Sequence, residues 1–428
     1  MMTTVFIIAF LGYLLVVFEG VIKINKTITA LLTGTLTWFA IAFYSPDKEQ
    51  VTENLMHNFS EISSLLIFLL IAMTIVEFID IHKGFSVITH RIRTKSIVKL
   101  FWIISFITFF LSSILDNLAT TIIMLALLKK ILPKSEIRMV IAGFVVIAAN
   151  AGGAFSPVGD ITTTLLWIGG QLSTMHIFTT LFLPAFAAML VPLLLITYRM
   201  KGFAVLRAQV SMKDAIQEEK IKGSMSVFIA GAIGLFLVPF IKTITGLPPF
   251  IAILFSLCLV AFVSYFYHYH KTEEEKHKYS ITYALTKVDV NSILYFLGIL
   301  LMVFALQEAT LLSQLAAFLV STFPDVNFIA ISLGILSSLV DNGSLVAASQ
   351  GMFSLEQFPM DDNFWSMIAF CTGTGGSIFI IGSAAGIAVM EKEKLTFLWY
   401  FKKIGIYALI GFASGIAVLL LQMKIFNS

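Results

Sequence analysis

Charge is scarce in this 428-residue sequence. Asp, Glu, Lys and Arg make up 12% of it, about half the share in a soluble domain. Hydrophobic residues make up 58%, and the mean hydropathy is +0.94. Together these exclude a string of soluble domains. The net charge of +3 is small and the basic residues sit between apolar runs, which excludes a nucleic-acid binder. Only two cysteines occur, Cys258 and Cys371, both inside apolar segments. That excludes a disulfide framework or a thiolate metal site. The first twenty residues, MMTTVFIIAFLGYLLVVFEG, lack a basic leader and a small-residue cleavage site. They are expected to form a first transmembrane helix, not a removed signal peptide.

What the chain has is apolar runs of membrane-spanning length. They predict spans near 4–21, 27–44, 62–80, 177–198, 224–241, 248–268, 291–307 and 403–423. Four further apolar stretches are interrupted. Residues 97–131 are broken by SSILDN (Ser112 to Asn117), and 138–172 by NAGGAFSPVGD (Asn150 to Asp160). Residues 326–354 are broken by SSLVDN (Ser337 to Asn342), and 364–390 by TGTGG (Thr372 to Gly376). Polar, glycine-rich backbone at membrane depth leaves N–H and C=O groups unpaired. It is tolerated only where it lines a cavity or is buried in protein.

The interruptions form two matched pairs. Ser112 and Ser337, which open the two S-S-x-x-D-N strings, are 225 residues apart; Gly152 and Gly375 are 223 apart. The predicted fold is therefore an all-α polytopic membrane protein of two inverted-topology repeats. Each repeat has a re-entrant helical hairpin and an interrupted transmembrane helix. The first repeat covers 1–199, a cytoplasmic linker 200–223, and the second repeat 224–428. Stretches 82–96 and 309–322 are expected to lie at the membrane interface. With both termini outside and the hairpins re-entrant, 25 of the 28 Lys and Arg fall on the cytoplasmic side, as the positive-inside rule requires. Five crossings per half then make the halves inverted. Inverted repeats with broken helices describe a secondary transporter.

Asp116, Asp160 and Asp341 lie at the breaks. A carboxylate at the centre of a membrane helix costs roughly 2.5–3.5 kcal/mol. Each could simply cap a half-helix, but a cap needs only Ser or Asn. Cation coordination explains them better, because Na⁺ seeks carboxylate, amide, hydroxyl and carbonyl oxygens. Around the first pair of breaks the candidates are Ser112, Ser113, Asp116, Asn117, Asn150, Asp160, Thr162 and Thr163. Around the second they are Ser337, Ser338, Asp341, Asn342, Ser344, Thr372, Thr374 and Ser377. Glu19, Glu77 and Glu308 end spans and read as interface residues. His82 and His90 are expected on a solvated basic face. His176, His268, His270 and His277 read as flank or loop residues without ligand spacing, and Glu273–Glu275 as a solvated loop.

The strings S-S-I-L-D-N-L-A-T-T (112–121), N-A-G-G-A-F-S-P-V-G-D-I-T-T-T (150–164) and S-S-L-V-D-N (337–342) resemble the NhaD-type sodium/proton antiporters of the ion transporter superfamily. The resemblance runs from the second span to the last. It implies exchange of Na⁺, and Li⁺, for H⁺ across a bacterial inner membrane by a homodimer. Its functional positions fall on Ser112, Asp116, Asn117, Asn150, Asp160, Thr162, Thr163, Ser337, Asp341, Asn342 and Ser377, with Ser383 a looser match. Sodium is expected at Asp116, Asn117, Asp341 and Asn342. The expected partners are these ions, the lipid bilayer and a second copy, without a cofactor or nucleic acid. A sodium-coupled carrier of an organic dicarboxylate is the alternative, disfavoured because an anion would meet two acidic hairpin tips. An intramembrane aspartyl protease would want Gly-x-Gly-Asp, and Pro157 stands at the first Gly.

Overall fold

The computed structural model describes residues 1–17, 19–85, 94, 96–199, 221–323 and 325–426. Among them the chain is all helix. Eight helices are long and apolar enough to cross a membrane. The predicted connector 82–96 and linker 200–223, with His90, lie largely outside the described residues. The second connector does form a helix.

Helices α1 (Met2–Val17), α2 (Glu19–Ile22) and α3 (Lys26–Tyr44) open the chain, followed by the 34-residue α4 (Lys48–Ile81). The predicted span at 62–80 is only the second half of α4. Its first turns, KEQVTENLMHNFSE, are polar and largely exposed, and Asp47 caps them through Glu49 N and Gln50 N. A hydropathy reading cannot see a helix that continues past its apolar part. Next come α5 (Ile97–Ser112), α6 (Asn117–Ile131), α7 (Glu136–Ala154), α8 (Ile161–Ile168) and α9 (Thr174–Arg199).

The later chain forms α10 (Ser224–Thr245), α11 (Pro249–His268), the short α12 (Glu273–His277) and α13 (Ile281–Leu285), and α14 (Val290–Glu308). The expected loop at Glu273–Glu275 is thus a short exposed helix. The connector helix α15 (Leu311–Thr322) meets α16 (Val326–Leu336) at 117°. Then follow α17 (Asn342–Met352), α18 (Asn363–Gly375) and α19 (Ala384–Glu393). Finally α20 (Phe397–Tyr400) runs through a π turn at Phe401–Gly405 into α21 (Ile406–Phe426).

Two close packings shape the molecule. Helix α3 lies against α14, where a methyl on Gly34 would come within 2.6 Å of Gly298 O. Small residues let these backbones approach, as expected between membrane helices. The second packing is the core of broken helices, where α5 lies on α7 and α16 on α18. A side chain on Gly152 would collide with Phe109 O, and one on Gly375 with Gly334 O. The Ser112 hydroxyl donates to Ala149 O at 2.7 Å, and the Ser337 hydroxyl to Thr372 O at 3.0 Å. These contacts recur at the repeat spacing read from the sequence.

His82 corrects the sequence reading. Its ring is fully buried just beyond α4, with Nδ1 2.7 Å from Phe78 O and Nε2 2.7 Å from Ser264 Oγ. It packs on Phe78, Tyr279 and the buried His268. Burial holds its pKa down at about 4, so this imidazole stays neutral.

Candidate functional site

Each of the three aspartates stands where a helix restarts. Asp116 Oδ1 accepts from Ala119 N at 2.7 Å and caps α6. Asp341 Oδ2 accepts from Ser344 N at 3.0 Å and from its hydroxyl at 2.9 Å, capping α17. Asp160 caps α8 through Ile161 N at 3.0 Å. Capping is therefore real at all three positions. It uses only part of each carboxylate.

Asp160 is the hub of a buried network that crosses between the halves. Its Oδ1 accepts from Asn117 Nδ2 at 2.8 Å, and its Oδ2 from the Thr162 hydroxyl at 2.6 Å and Asn342 Nδ2 at 3.3 Å. With Ile161 N this makes four donors, which satisfies a carboxylate in its ionised form. The asparagines of the two repeated strings, distant in sequence, thus meet on one aspartate. Asn117 Nδ2 also lies 3.1 Å from Asn150 Oδ1, and Asn150 Nδ2 donates to Ser377 Oγ at 2.9 Å and Ser383 Oγ at 3.0 Å.

Asp116, Asn117, Asp160, Asp341 and Asn342 all line one cavity of about 130 Å³, together with Lys26, Ser292 and Tyr295. The cap bonds fall on Oδ1 of Asp116 and on Oδ2 of Asp341.

Other predicted residues hold the site in place. The hydroxyls of Ser112, Ser337 and Thr163 donate to backbone carbonyls, Thr163 to Ala154 O at 3.2 Å. So do those of Ser113, Ser338, Thr372 and Thr374. Such bonds are the ordinary habit of hydroxyls in apolar helices.

Lys26 and Tyr295 were not singled out by the sequence reading. The Lys26 ammonium lies 4.9 Å from the Tyr295 ring centre, and the Tyr295 hydroxyl is 3.3 Å from Ser344 Oγ. Nothing in the sequence marks Lys26 except its place at the start of an apolar run. The buried pair Arg138–Glu393, at 2.9 Å, also escaped notice. It ties the start of α7 to the end of α19. Glu19 and Glu308 behave as end-of-span residues, accepting from Lys26 N and Asn54 Nδ2 respectively. His176 reaches Ser366 Oγ at 2.8 Å.

Residues 7–360 match the family model described as citrate transporter. The chain is 44% identical to Sodium/proton antiporter 1 of Arabidopsis thaliana over 96% of its own length and 70% of the relative's. It is 42% identical to Sodium/proton antiporter 2 of the same plant, over 95% and 96%. With the Na(+)/H(+) antiporter NhaD of Vibrio cholerae it shares 29% identity over 92% and 86%. The family match covers Asp116, Asp160 and Asp341 and most of the residues that line the cavity. The chain belongs to the citrate-transporter family of membrane carriers, alongside the NhaD-type sodium/proton antiporters of the ion transporter superfamily.

Proposed function

We propose that this protein exchanges Na⁺, and Li⁺, for H⁺ across a bacterial inner membrane, both ions using the cavity between the hairpin tips. The observation that carries the proposal is the convergence of Asp116, Asp160 and Asp341 on that one cavity. The names of the relatives support the choice of ions. A carboxylate is neutralised by a proton or by a bound cation. Na⁺ arriving at Asp116 and Asp341 therefore displaces protons, and protons displace Na⁺. A carrier that reorients only when loaded with one or the other exchanges them without further coupling. Interacting carboxylates titrate as a group, so the proton belongs to the set and not to one residue. In this reading Asp116 and Asp341 face the ion, and Asp160, held by Asn117, Thr162 and Asn342, completes the charge balance beside it. Ser112, Asn150, Thr163, Ser337 and Ser377 hold them in register.

The architecture proposed with it is the inverted pair of repeats, 1–199 and 224–428, with termini outside and two chains per assembly. Helices α16 and α17 have 11 residues each, about 16 Å, too short for a hydrocarbon core of about 30 Å. That length supports re-entrant hairpins. Lys26 and Ser292, at the helix ends assigned to the cytoplasm, line the cavity, which supports a conformation facing that side. The family description favours a second reading, carriage of an organic anion coupled to sodium. Three carboxylates in the cavity wall argue against an anionic cargo.

The test is a pH gradient across proteoliposomes, read by a fluorescent dye, with Na⁺, Li⁺, K⁺ and citrate added in turn. Na⁺ and Li⁺ are expected to dissipate the gradient, and K⁺ and citrate to leave it. Citrate uptake driven by Na⁺, with no Na⁺-driven proton movement, would reverse the order of the two readings.

A further inference from the structure

The two halves of the core differ where their charge lies. At the spacing of 223 residues, Asp160 corresponds to Ser383 and Asn150 to Gly373. Ser383 caps α19 through Gly386 N at 3.2 Å, and Asp160 caps α8 through Ile161 N. Both exchanges fall where the two broken helices cross, and they are complementary. A methyl on Gly373 would stand 3.2 Å from Asp160 Oδ2 and 3.1 Å from Thr162 Oγ1. The absent side chain leaves Asp160 its space.

At the mirrored position the side chain is present. Asn150 Nδ2 sits 2.9 Å from Ser377 Oγ and 3.0 Å from Ser383 Oγ, and all three residues are buried. Two hydroxyl oxygens converging in a dry interior are what a hard cation would bridge. Here an uncharged amide already bridges them through N–H donors. The two hairpin-tip carboxylates, Asp116 and Asp341, do not restore a second site, because both face the same cavity.

We infer that the chain holds a single cation site, on the Asp160 side of the crossing, and that the Asn150 carboxamide stands in for a second cation between Ser377 and Ser383. The inference rests on the antiport reading and adds the number of ions. Ser377 then serves as the partner of an amide and does not ligate the transported ion. Asn150 also becomes a positioning residue, since its Oδ1 takes a hydrogen bond from Asn117, which in turn holds Asp160.

The experiment is equilibrium binding of radioactive Na⁺ to the purified full-length protein at pH 8.5, alongside dye-monitored exchange in proteoliposomes. The wild type is expected to bind one Na⁺ per chain with a Hill coefficient of 1. Two Na⁺ per chain with exchange intact overturns the single site and leaves the antiport reading standing. No Na⁺ binding together with no exchange overturns the antiport reading, and this inference with it. Asn150→Asp keeps the shape and replaces the donor amide with a carboxylate, so it is expected to bind a second Na⁺. A folded Asn150→Asp protein that still binds one overturns the role given to the amide. Asn150→Ala, which adds no charge, is expected to keep one Na⁺ at about tenfold weaker affinity; unchanged affinity overturns the positioning role.

Discussion

The two hairpin tips and the two broken helices repeat the same backbone contacts, yet they treat charge differently. At the tips the match extends to chemistry: Asp116 and Asp341 each cap a half-helix and line the same cavity. At the broken helices the match stops at packing. Gly152 and Gly375 meet equivalent carbonyls, while the acidic Asp160 faces a glycine in place of an asparagine. The difference teaches what two matched packings must keep. Close backbone approach leaves no room to vary. Side chains that meet at the crossing can change in complementary pairs, and one buried carboxylate there is easier to satisfy than two.

The largest effect expected is at the tips. Asp116→Asn and Asp341→Asn keep the cap, since Asn is as good an N-cap as Asp, and remove the titratable charge. Each should insert and fold, and lose Na⁺-driven proton movement in everted vesicles by at least about a hundredfold. Near wild-type exchange in either variant would break the equivalence of the tips and favour capping alone. The glycines come next. Gly152→Ala and Gly375→Ala each force a methyl against a carbonyl, a collision expected to cost about 1–3 kcal/mol. Thermal unfolding in detergent should show similar losses for the pair, and a loss confined to one would mean that the two crossings are packed differently.

A comparable but pH-dependent effect lies outside the paired core. Folded His82 takes up its proton only near pH 4, whereas an unfolded histidine does so near 6.5. Between these values the unfolded chain binds more protons, so stability is full above about pH 6.5 and falls as the pH drops toward 4. The loss should reach about 3 kcal/mol, and His82→Gln should flatten that part of the curve. An unchanged pH dependence in the variant would assign the acid sensitivity elsewhere. The smallest effect belongs to the braces. Ser112→Ala removes the hydroxyl bonded to Ala149 O, and Ser337→Ala the hydroxyl shared between Gly334 O and Thr372 O, each worth about 1 kcal/mol. Equal shifts in melting temperature sharpen the comparison, and a much larger loss at Ser112 would mark its half as the stiffer one.

Much of this was legible in the chain. The four interruptions and their matched strings were visible because polar residues inside apolar runs stand out against a plain background. Asp116, Asp160 and Asp341 were found for that reason. Lys26 was invisible because a lysine at the start of an apolar run looks like any interface charge. His82 was misread because its neighbours in sequence are basic, while its neighbours in space are Phe78, Ser264, His268 and Tyr279. The start of α4 was missed because its first turns are helical without being apolar.

Hydropathy and spacing are properties of single segments and of their order along the chain. They were enough to determine a membrane protein and to find acidic residues at the breaks in its apolar runs. Which donors reach Asp160, and which amide closes the mirrored position, depend on four segments meeting at one crossing. Asn117, Asn342, Thr162 and Ile161 N converge on one carboxylate, and Asn150 reaches serines more than 220 residues away. Such long-range hydrogen bonds carry no local signature in the sequence, because each residue would look the same with any other partner. The tertiary structure alone decided them.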